Sequence, residues 1–322
     1  MRLVPALLLA TAMLASAAPR AYVTNERDGS VTVIDTATDT VAGTIAVGGR
    51  VRGVRLAPDG RTLYVAVSDP ERRANPDLDA IAAVALPDGR VTRRYRVGSD
   101  PEQFDVAPDG RRLYVSNEDA GTATVTDVES GDVVATLVVG IEPEGVETSP
   151  DGRWAYVTAE TSNTVSVVDT RTNEVVSGFL VGARPRAAAF TPDGRRAFVT
   201  AEEGGTIAVV DVAAHRVIAT VPRSAPDAKP MGVAVSPDGR FAWVATGRGN
   251  TLDALETTTN AMVARVPVGR RPWGVATTPD GAKVYTANGL SDDVSVVDTT
   301  TRRVIATVAV GHGPWGVAIG RH

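Results

Sequence analysis

The 322-residue chain carries 33 Lys and Arg against 38 Asp and Glu, a formal net charge of -5 at pH 7, and it contains no cysteine. The acidic balance argues against nucleic-acid binding, which depends on a basic surface that neutralises phosphates. Without cysteine there can be no disulfide, no thiolate metal site and no covalently attached c-type haem.

Residues 1–17 have the pattern of a secretory signal peptide. Arg2 precedes an apolar run over residues 3–14, and the small residues 15–17 form a cleavage signal. The run is too short to span a membrane, and no later stretch approaches the necessary length. We therefore expect residues 1–17 to be removed, the mature protein to be periplasmic, and no membrane span to remain.

Residues 18–322 are predicted to form one domain from a repeated unit, because a YVTN-like motif recurs every 42 to 50 residues. The seven motifs begin at Tyr22, Tyr64, Tyr114, Tyr156, Phe198, Trp243 and Tyr285.

Each unit contains four short runs rich in Val, Ile, Thr and Tyr, without helical periodicity. Turn-forming residues separate the four runs, and the same two turn sequences recur from unit to unit. Pro-Asp-Gly turns centre on Asp59, Asp109, Asp151, Asp193, Asp238 and Asp280, and turns like DTAT begin at Asp35, Asp127, Asp169, Asp211 and Asp298. We expect these aspartates to shape the turns. Four antiparallel strands, repeated seven times, predict an all-β, seven-bladed β-propeller; the alternative, a solenoid, needs capping repeats that neither end shows.

The two ends of the repeat array are predicted to complete each other. The last unit contributes only an innermost strand, residues 316–320, while the first begins at Pro19 with a second strand. Pairing these ends would close the ring and remove two exposed sheet edges.

Antiparallel order places two sets of loops on one face, around the mouth of the central channel. The residue just before each innermost strand varies from blade to blade, in the order Arg52, Glu102, Glu144, Arg186, Met231, Trp273 and Trp315. A charged half and an apolar, aromatic half make this rim the candidate binding surface. The alternatives are that Arg52 and Arg186 only pair with nearby glutamates, and that the two tryptophans only pack on neighbouring proline and glycine.

Further carboxylates lie on the same face, and we predict no metal site, no cofactor and no catalytic residue among them. A secondary acidic arc contains Glu26, Glu118, Glu160 and Glu202, and an insertion over residues 68–80 contains Asp69, Glu71, Asp77 and Asp79. The insertion does not match the order of an EF-hand calcium loop. The arc glutamates could also be ordinary solvated loop residues. The sequence shows no recognisable Ser-His-Asp catalytic triad.

The motifs YVTN, SPDG, VSVVDT and VGxxPWG resemble those of the YVTN family of β-propeller repeat proteins. Residues 98–121, 181–194 and 229–240 are similar to exported β-propellers associated with pyrroloquinoline quinone-dependent catabolism in bacteria. This resemblance implies a periplasmic binding or accessory protein. Its partner would be a quinoprotein dehydrogenase or its cytochrome, or a small molecule at the channel mouth.

Two other functions stay open at this point. A lactonase-like propeller hydrolase would use Glu102 and Glu144 as ligands of a channel-bound cation or as bases. A surface-layer or adhesion module is the second alternative, although no anchor or second domain is legible. Since no catalytic motif is present, the sequence favours a protein that is not an enzyme.

Overall fold

The computed structural model describes residues 18–71, 75–86 and 88–320, so the predicted signal peptide lies outside the described residues. Within these ranges, seven four-stranded antiparallel sheets are arranged as the blades of a ring, which confirms the all-β, seven-bladed propeller. Short 3-10 turns occur at Pro76–Leu78, Glu118–Ala120 and Gly247–Gly249.

The strands follow the chain from the inside of each blade to its outer edge, except in blade 1. Blade 1 contains β1 (Arg20–Asn25), β2 (Ser30–Asp35), β3 (Thr40–Ala46) and, innermost, β28 (Pro314–Gly320). Blades 2 to 4 contain β4 (Arg50–Leu56), β5 (Thr62–Ser68), β6 (Ala80–Ala85), β7 (Arg90–Arg96); β8 (Pro101–Val106), β9 (Arg112–Asn117), β10 (Thr122–Asp127), β11 (Val133–Val138); and β12 (Pro143–Thr148), β13 (Trp154–Ala159), β14 (Thr164–Asp169), β15 (Glu174–Leu180). Blades 5 to 7 contain β16 (Pro185–Phe190), β17 (Arg196–Ala201), β18 (Thr206–Asp211), β19 (Arg216–Pro222); β20 (Val233–Val235), β21 (Phe241–Ala245), β22 (Thr251–Glu256), β23 (Met262–Pro267); and β24 (Pro272–Thr277), β25 (Lys283–Asn288), β26 (Asp293–Asp298), β27 (Arg303–Ala309).

The ring is closed by the pairing predicted from the two ends of the repeat array. Strand β28 runs antiparallel to β1, with Ala21 opposite Ile319 and Tyr22 opposite Ala318. Blade 1 is therefore assembled from both ends of the described chain, and its inner strand is supplied last.

The aspartates of both repeated turns accept backbone hydrogen bonds, as expected. In the Pro-Asp-Gly turn, Asp59 Oδ1 accepts a hydrogen bond of 2.8 Å from the backbone N–H of Arg61, and the other five turns repeat this contact. In the second turn, Asp35 Oδ1 accepts one of 2.8 Å from Ala37 N, two residues on, and Asp169 does the same. The other three aspartates accept from the backbone N–H three residues on. These turns form one face of the ring, called here the turn face.

The YVTN-like motif joins neighbouring blades at two levels. Its aromatic side chain is buried, and the hydroxyl of Tyr156 lies 3.0 Å from His215 Nδ1 in the next blade's turn. In four of the seven motifs the third residue is Ser or Thr and acts at the opposite end of the strand. Thr24 Oγ1, for example, donates to the carbonyl of Arg52 in blade 2 and accepts from Gly316 N. The motif therefore fixes where the innermost strands of adjacent blades lie.

A glycine in the innermost strand lets these strands approach closely. A Cβ atom at Gly145 would lie 2.3 Å from the carbonyl oxygen of Arg186, and one at Gly232 would lie 2.2 Å from that of Trp273. Gly53, Gly274 and Gly316 occupy the equivalent positions. The close approach brings together the side chains that immediately precede these glycines.

Candidate functional site

The seven predicted rim residues form one layer across the channel, which we call the mouth layer. It contains Arg52, Glu102, Glu144, Arg186, Met231, Trp273 and Trp315. The prediction that they just precede the innermost strands needs correction. Most are the second residue of their strand, Arg52 is the third residue of β4, and Met231 alone lies outside, two residues before β20.

The mouth layer is much more buried than a solvent-facing rim. Six of its side chains are buried, with Met231 1% exposed, Trp315 7% and Arg186 8%, while Trp273 is half-buried. The candidate binding surface is therefore largely closed to solvent at these six positions. Because the innermost strands converge, their side chains pack against one another and narrow the channel.

The first half of the layer contains an ionic cluster centred on Arg52. This cluster consists of Arg50, Arg52, Glu26, Asp100, Glu102 and Glu118. Arg52 contacts Glu102 directly, and its Nε lies 3.2 Å from Glu26 Oε1. Arg50 Nη2 lies 2.5 Å from Asp100 Oδ1. The pairing of Arg52 with Glu102, which the sequence left as an alternative, is therefore present.

The second ionic cluster surrounds Arg186 with three carboxylates. Arg186 Nη1 lies 3.0 Å from Glu144 Oε1 and contacts Glu160, while its Nη2 lies 2.7 Å from Glu202 Oε2. Arg184 Nε adds a second contact to Glu160 at 2.7 Å. All four glutamates of the predicted acidic arc are thus partners of the mouth arginines, and Glu160 and Glu202 are buried.

The Arg186 cluster holds more carboxylates than guanidinium groups. Burial and the neighbouring Glu144 raise the pKa of Glu160 to about 8, against the opposing influence of Arg186 and Arg184. The raised pKa favours the protonated form of Glu160, whose carboxyl lies within hydrogen-bonding reach of Glu144. Burial and Glu144 also raise the pKa of Glu118 in the first cluster.

The other half of the mouth layer is aromatic and touches the ionic half. The indoles of Trp273 and Trp315 are stacked, with centroids 5.8 Å apart and planes 21° apart. The guanidinium carbons of Arg271 and Arg186 lie 4.9 and 5.4 Å from the Trp273 ring centroid. A small cavity of about 30 Å³ is bordered by these tryptophans, Arg186, Glu144 and Met231.

A second charged layer, deeper in the channel, was missed by the sequence reasoning. Arg55 Nε lies 3.1 Å from Asp105 Oδ1, and its Nη2 lies 3.0 Å from Glu147 Oε2. Burial and Asp105 raise the pKa of Glu147 to about 8. A pattern in the sequence could have revealed this layer. Three positions after the mouth residue, the chain has a charged residue in blades 2 to 4 and alanine in the other four blades.

One group in the described ranges has the spacing of a metal site, formed by carboxylate oxygens of Asp100, Glu102 and Glu118 within 4.8 Å of one another. Its acidity is already met by the guanidinium groups of the Arg52 cluster. In the insertion, Asp79 Oδ1 accepts a hydrogen bond from Asp69 N at 2.9 Å and its Oδ2 one from Asp100 N at 2.8 Å. The Asp79 carboxylate thus holds the loop, and the expectation that no metal is bound stays a prediction.

Comparison with protein families identifies the propeller. The profile of the family described as lactonase, 7-bladed beta-propeller, matches residues 12–140 and 176–309, which is well over half of the chain. The chain belongs to this family. The profile of the cytochrome D1 heme domain also matches residues 90–197 of this lactonase-family propeller. No curated protein matches the chain.

Solved structures similar to this lactonase-family member support the fold alone, since their sequences are distant. Hydrazine synthase of Kuenenia stuttgartiensis is 22% identical, with a TM-score of 0.74 over 84% of this chain and 95% of its own. A functionally unknown protein from Desulfotomaculum acetoxidans DSM 771 is 17% identical, with a TM-score of 0.77 over 94% and 99% of the two chains. Among the described residues, none of the helices has the length and hydropathy needed to cross a membrane.

Proposed function

We propose that this protein is an exported, periplasmic binding module that takes a partner or ligand at the mouth of its channel. The observation that carries this proposal is the half-exposed indole of Trp273, stacked on Trp315 and bordered by the guanidinium groups of Arg186 and Arg271. Tryptophan and arginine are the residues that most often dominate binding energy.

The energetics of the mouth layer support a role beyond folding. Burying arginines and glutamates costs desolvation, and apolar side chains of similar volume are often equally or more stabilising at such positions. Blades 6, 7 and 1 show that apolar residues fit the same layer, since they place Met231, Trp273 and Trp315 there. The ionic half is therefore better explained by recognition or chemistry than by stability.

The resemblance to quinone-associated propellers favours a particular setting. We propose that the protein acts beside quinoprotein-dependent alcohol oxidation and that its partner is a periplasmic quinoprotein dehydrogenase or its cytochrome. The test is capture from periplasmic extract by tagged protein, with Trp273→Ala at the mouth and Asp238→Ala on the turn face as matched variants. Loss of the dehydrogenase and cytochrome only with Trp273→Ala is expected, whereas no capture by the unchanged protein would contradict the proposal.

Lactone hydrolysis is the second candidate, favoured by the family match and by the raised pKa of Glu160, which meets Glu144 at Arg186. Water would add to the lactone carbonyl carbon and the ring C–O bond would break, giving an acid and an alcohol. The carboxylate of Glu144 would take a proton from the water, and the Glu160 carboxyl would donate one to the leaving oxygen. Turnover of simple γ- and δ-lactones that Glu160→Gln abolishes would support this function, and no turnover above the buffer rate would remove it.

A further inference from the structure

A groove on the mouth face between blades 3 and 4 is lined by carboxylates. We call it the acidic groove; it is lined by Asp100, Glu118, Asp119, Ala120, Gly121, Ile141 and Glu142 and has a volume of about 760 Å³. No lysine or arginine contributes to its lining, although Asp100 and Glu118 pair with Arg50 and Arg52 of the mouth. Glu142, which accepts a hydrogen bond from Thr161, adds negative charge that these two arginines do not meet. Ile141, 60% exposed, gives it an apolar surface, and Val138 of the adjacent outer strand is 80% exposed.

The junction between blades 6 and 7 carries the opposite charge at equivalent positions. Here Arg248 stands where Asp119 stands, and Arg270-Arg271 stand where Ile141-Glu142 stand, each pair just before the proline that opens the innermost strand. We call the patch made by Arg248, Arg270 and Arg271 the basic groove, because these residues occupy the positions equivalent to those of the acidic groove.

The basic groove is a structural unit whose positive charge is offset only in part, by the electrostatic interaction of Arg248 with Glu203. Arg271 N donates a hydrogen bond of 2.8 Å to Asn250 Oδ1, and Arg270 Nη2 donates one of 2.6 Å to the carbonyl of Leu290. Among the described residues, the ion pairs of blades 6 and 7 do not include these three arginines. Leu290 is 53% exposed, so an apolar side chain accompanies this groove as well.

The two grooves lie three blades apart on one face, which makes that face complementary to itself. Two copies can be placed mouth face to mouth face by a two-fold axis that lies in the interface and passes through blade 5. This operation sets the acidic groove of each copy against the basic groove of the other. At the axis, blade 5 meets blade 5, where Arg184 and Glu203 are each 46% exposed and supply both signs of charge.

We infer that this protein associates with a second copy of itself through the mouth face. A two-fold interface is the commonest arrangement in soluble oligomers and requires such self-complementarity. A partner that is only basic or only acidic would match one groove and leave the other facing like charge. The inference goes beyond the proposed function, and a partner bound at the mouth would compete with the second copy.

Sedimentation velocity of the purified chain, over a concentration series at low and high salt, tests the inference. We expect a dimer that dissociates on dilution and more readily at high salt, because exposed charge pairs are screened. Glu142→Arg and Arg270→Glu should each weaken dimerisation about tenfold or more by placing like charges opposite each other. Arginine suits position 142, since Arg184 and Arg271 adopt the same left-handed backbone (φ 59° and 54°, against 55° for Glu142) in blades 5 and 7.

Mixing the two variants provides the decisive control. In the mixed dimer one contact is reversed and the other is native, so both are attractive and dimerisation should return. A folding defect in either variant would not be corrected by mixing. Glu129→Arg, the same charge change on the turn face, should leave dimerisation unchanged. A wild-type chain that stays monomeric throughout, or single variants whose mixture does not associate, would overturn the inference; the assay contains no other partner, so it is independent of the proposed function.

Discussion

The turn face and the mouth face are built from the same seven strand sets, yet they use polar residues in opposite ways. On the turn face, each Pro-Asp-Gly aspartate accepts the same backbone hydrogen bond two residues on, mostly in exposed surroundings. On the mouth face, Arg52 and Arg186 are buried among carboxylates in arrangements that change from blade to blade. A contact that every blade repeats maintains the scaffold, and one that differs between blades is where specificity can arise.

The largest expected effect on stability comes from opening the ring, because both faces depend on its closure by β28. Deleting residues 314–320 removes β28, exposes the inner edge of β1 and opens the ring between blades 7 and 2. We expect aggregation or a melting temperature far below that of the parent protein, because unpaired edges promote aggregation. Deleting residues 321–322 is the control. A monomeric product with unchanged melting would show that closure contributes little.

The second largest effect is expected on removing a charge from the buried Arg186 cluster. Arg186→Met leaves Glu144, Glu160 and Glu202 together without their shared guanidinium, and breaking a buried ion pair from one side typically costs about 3–5 kcal/mol. Urea unfolding at pH 7 measures the loss. It should be smaller at pH 5, where the raised pKa of Glu160 keeps that carboxyl more fully protonated and so relieves repulsion within the cluster. An equal loss at both pH values would mean that the cluster contributes only packing.

The pH dependence of stability sharpens the same comparison. The folded protein keeps the Glu160 proton up to a pKa of about 8, while the unfolded chain releases it near 4.5. The free energy of unfolding should therefore fall as pH rises from about 4.5 to 8, by at most about 1.4 kcal/mol per pH unit for this group. Glu160→Gln should reduce this slope without abolishing it. The pKa of Glu147 is also raised to about 8, so this second group should account for the slope that remains. An unchanged slope in Glu160→Gln would contradict the raised pKa.

The smallest effect belongs to the turn face. Asp238→Ala removes one exposed hydrogen bond to the backbone of Arg240 and one to Ser236, and it should lower stability by about 1 kcal/mol. Thermal melting detects this change. A loss as large as that of Arg186→Met would show that the repeated turns carry more of the fold than their exposure suggests.

The sequence predicted the scaffold well because local chemistry encodes it. Pro-Asp-Gly and the period of the YVTN-like motif identify turns and strands without reference to distant contacts, and the two incomplete end units predicted the pairing of β28 with β1. The mouth was located but its burial was not, because burial follows from the convergence of the seven innermost strands, which a glycine such as Gly145 permits in five of the blades. The contact between Glu144 and Glu160 depends on distances between blades, which no motif records.

The most direct test of the central claim, that the mouth face binds and the turn face supports, is an affinity measurement on matched variants. Purified quinoprotein alcohol dehydrogenase and its cytochrome serve as ligands, and binding is compared for the unchanged protein, Trp273→Ala and Asp238→Ala. Because Trp273 is half-exposed, its truncation should leave the fold intact and weaken binding about tenfold or more, or at least ~1.4 kcal/mol. Asp238→Ala should bind as the unchanged protein does. Unchanged affinity with Trp273→Ala together with lost binding in Asp238→Ala would place the binding surface on the opposite face.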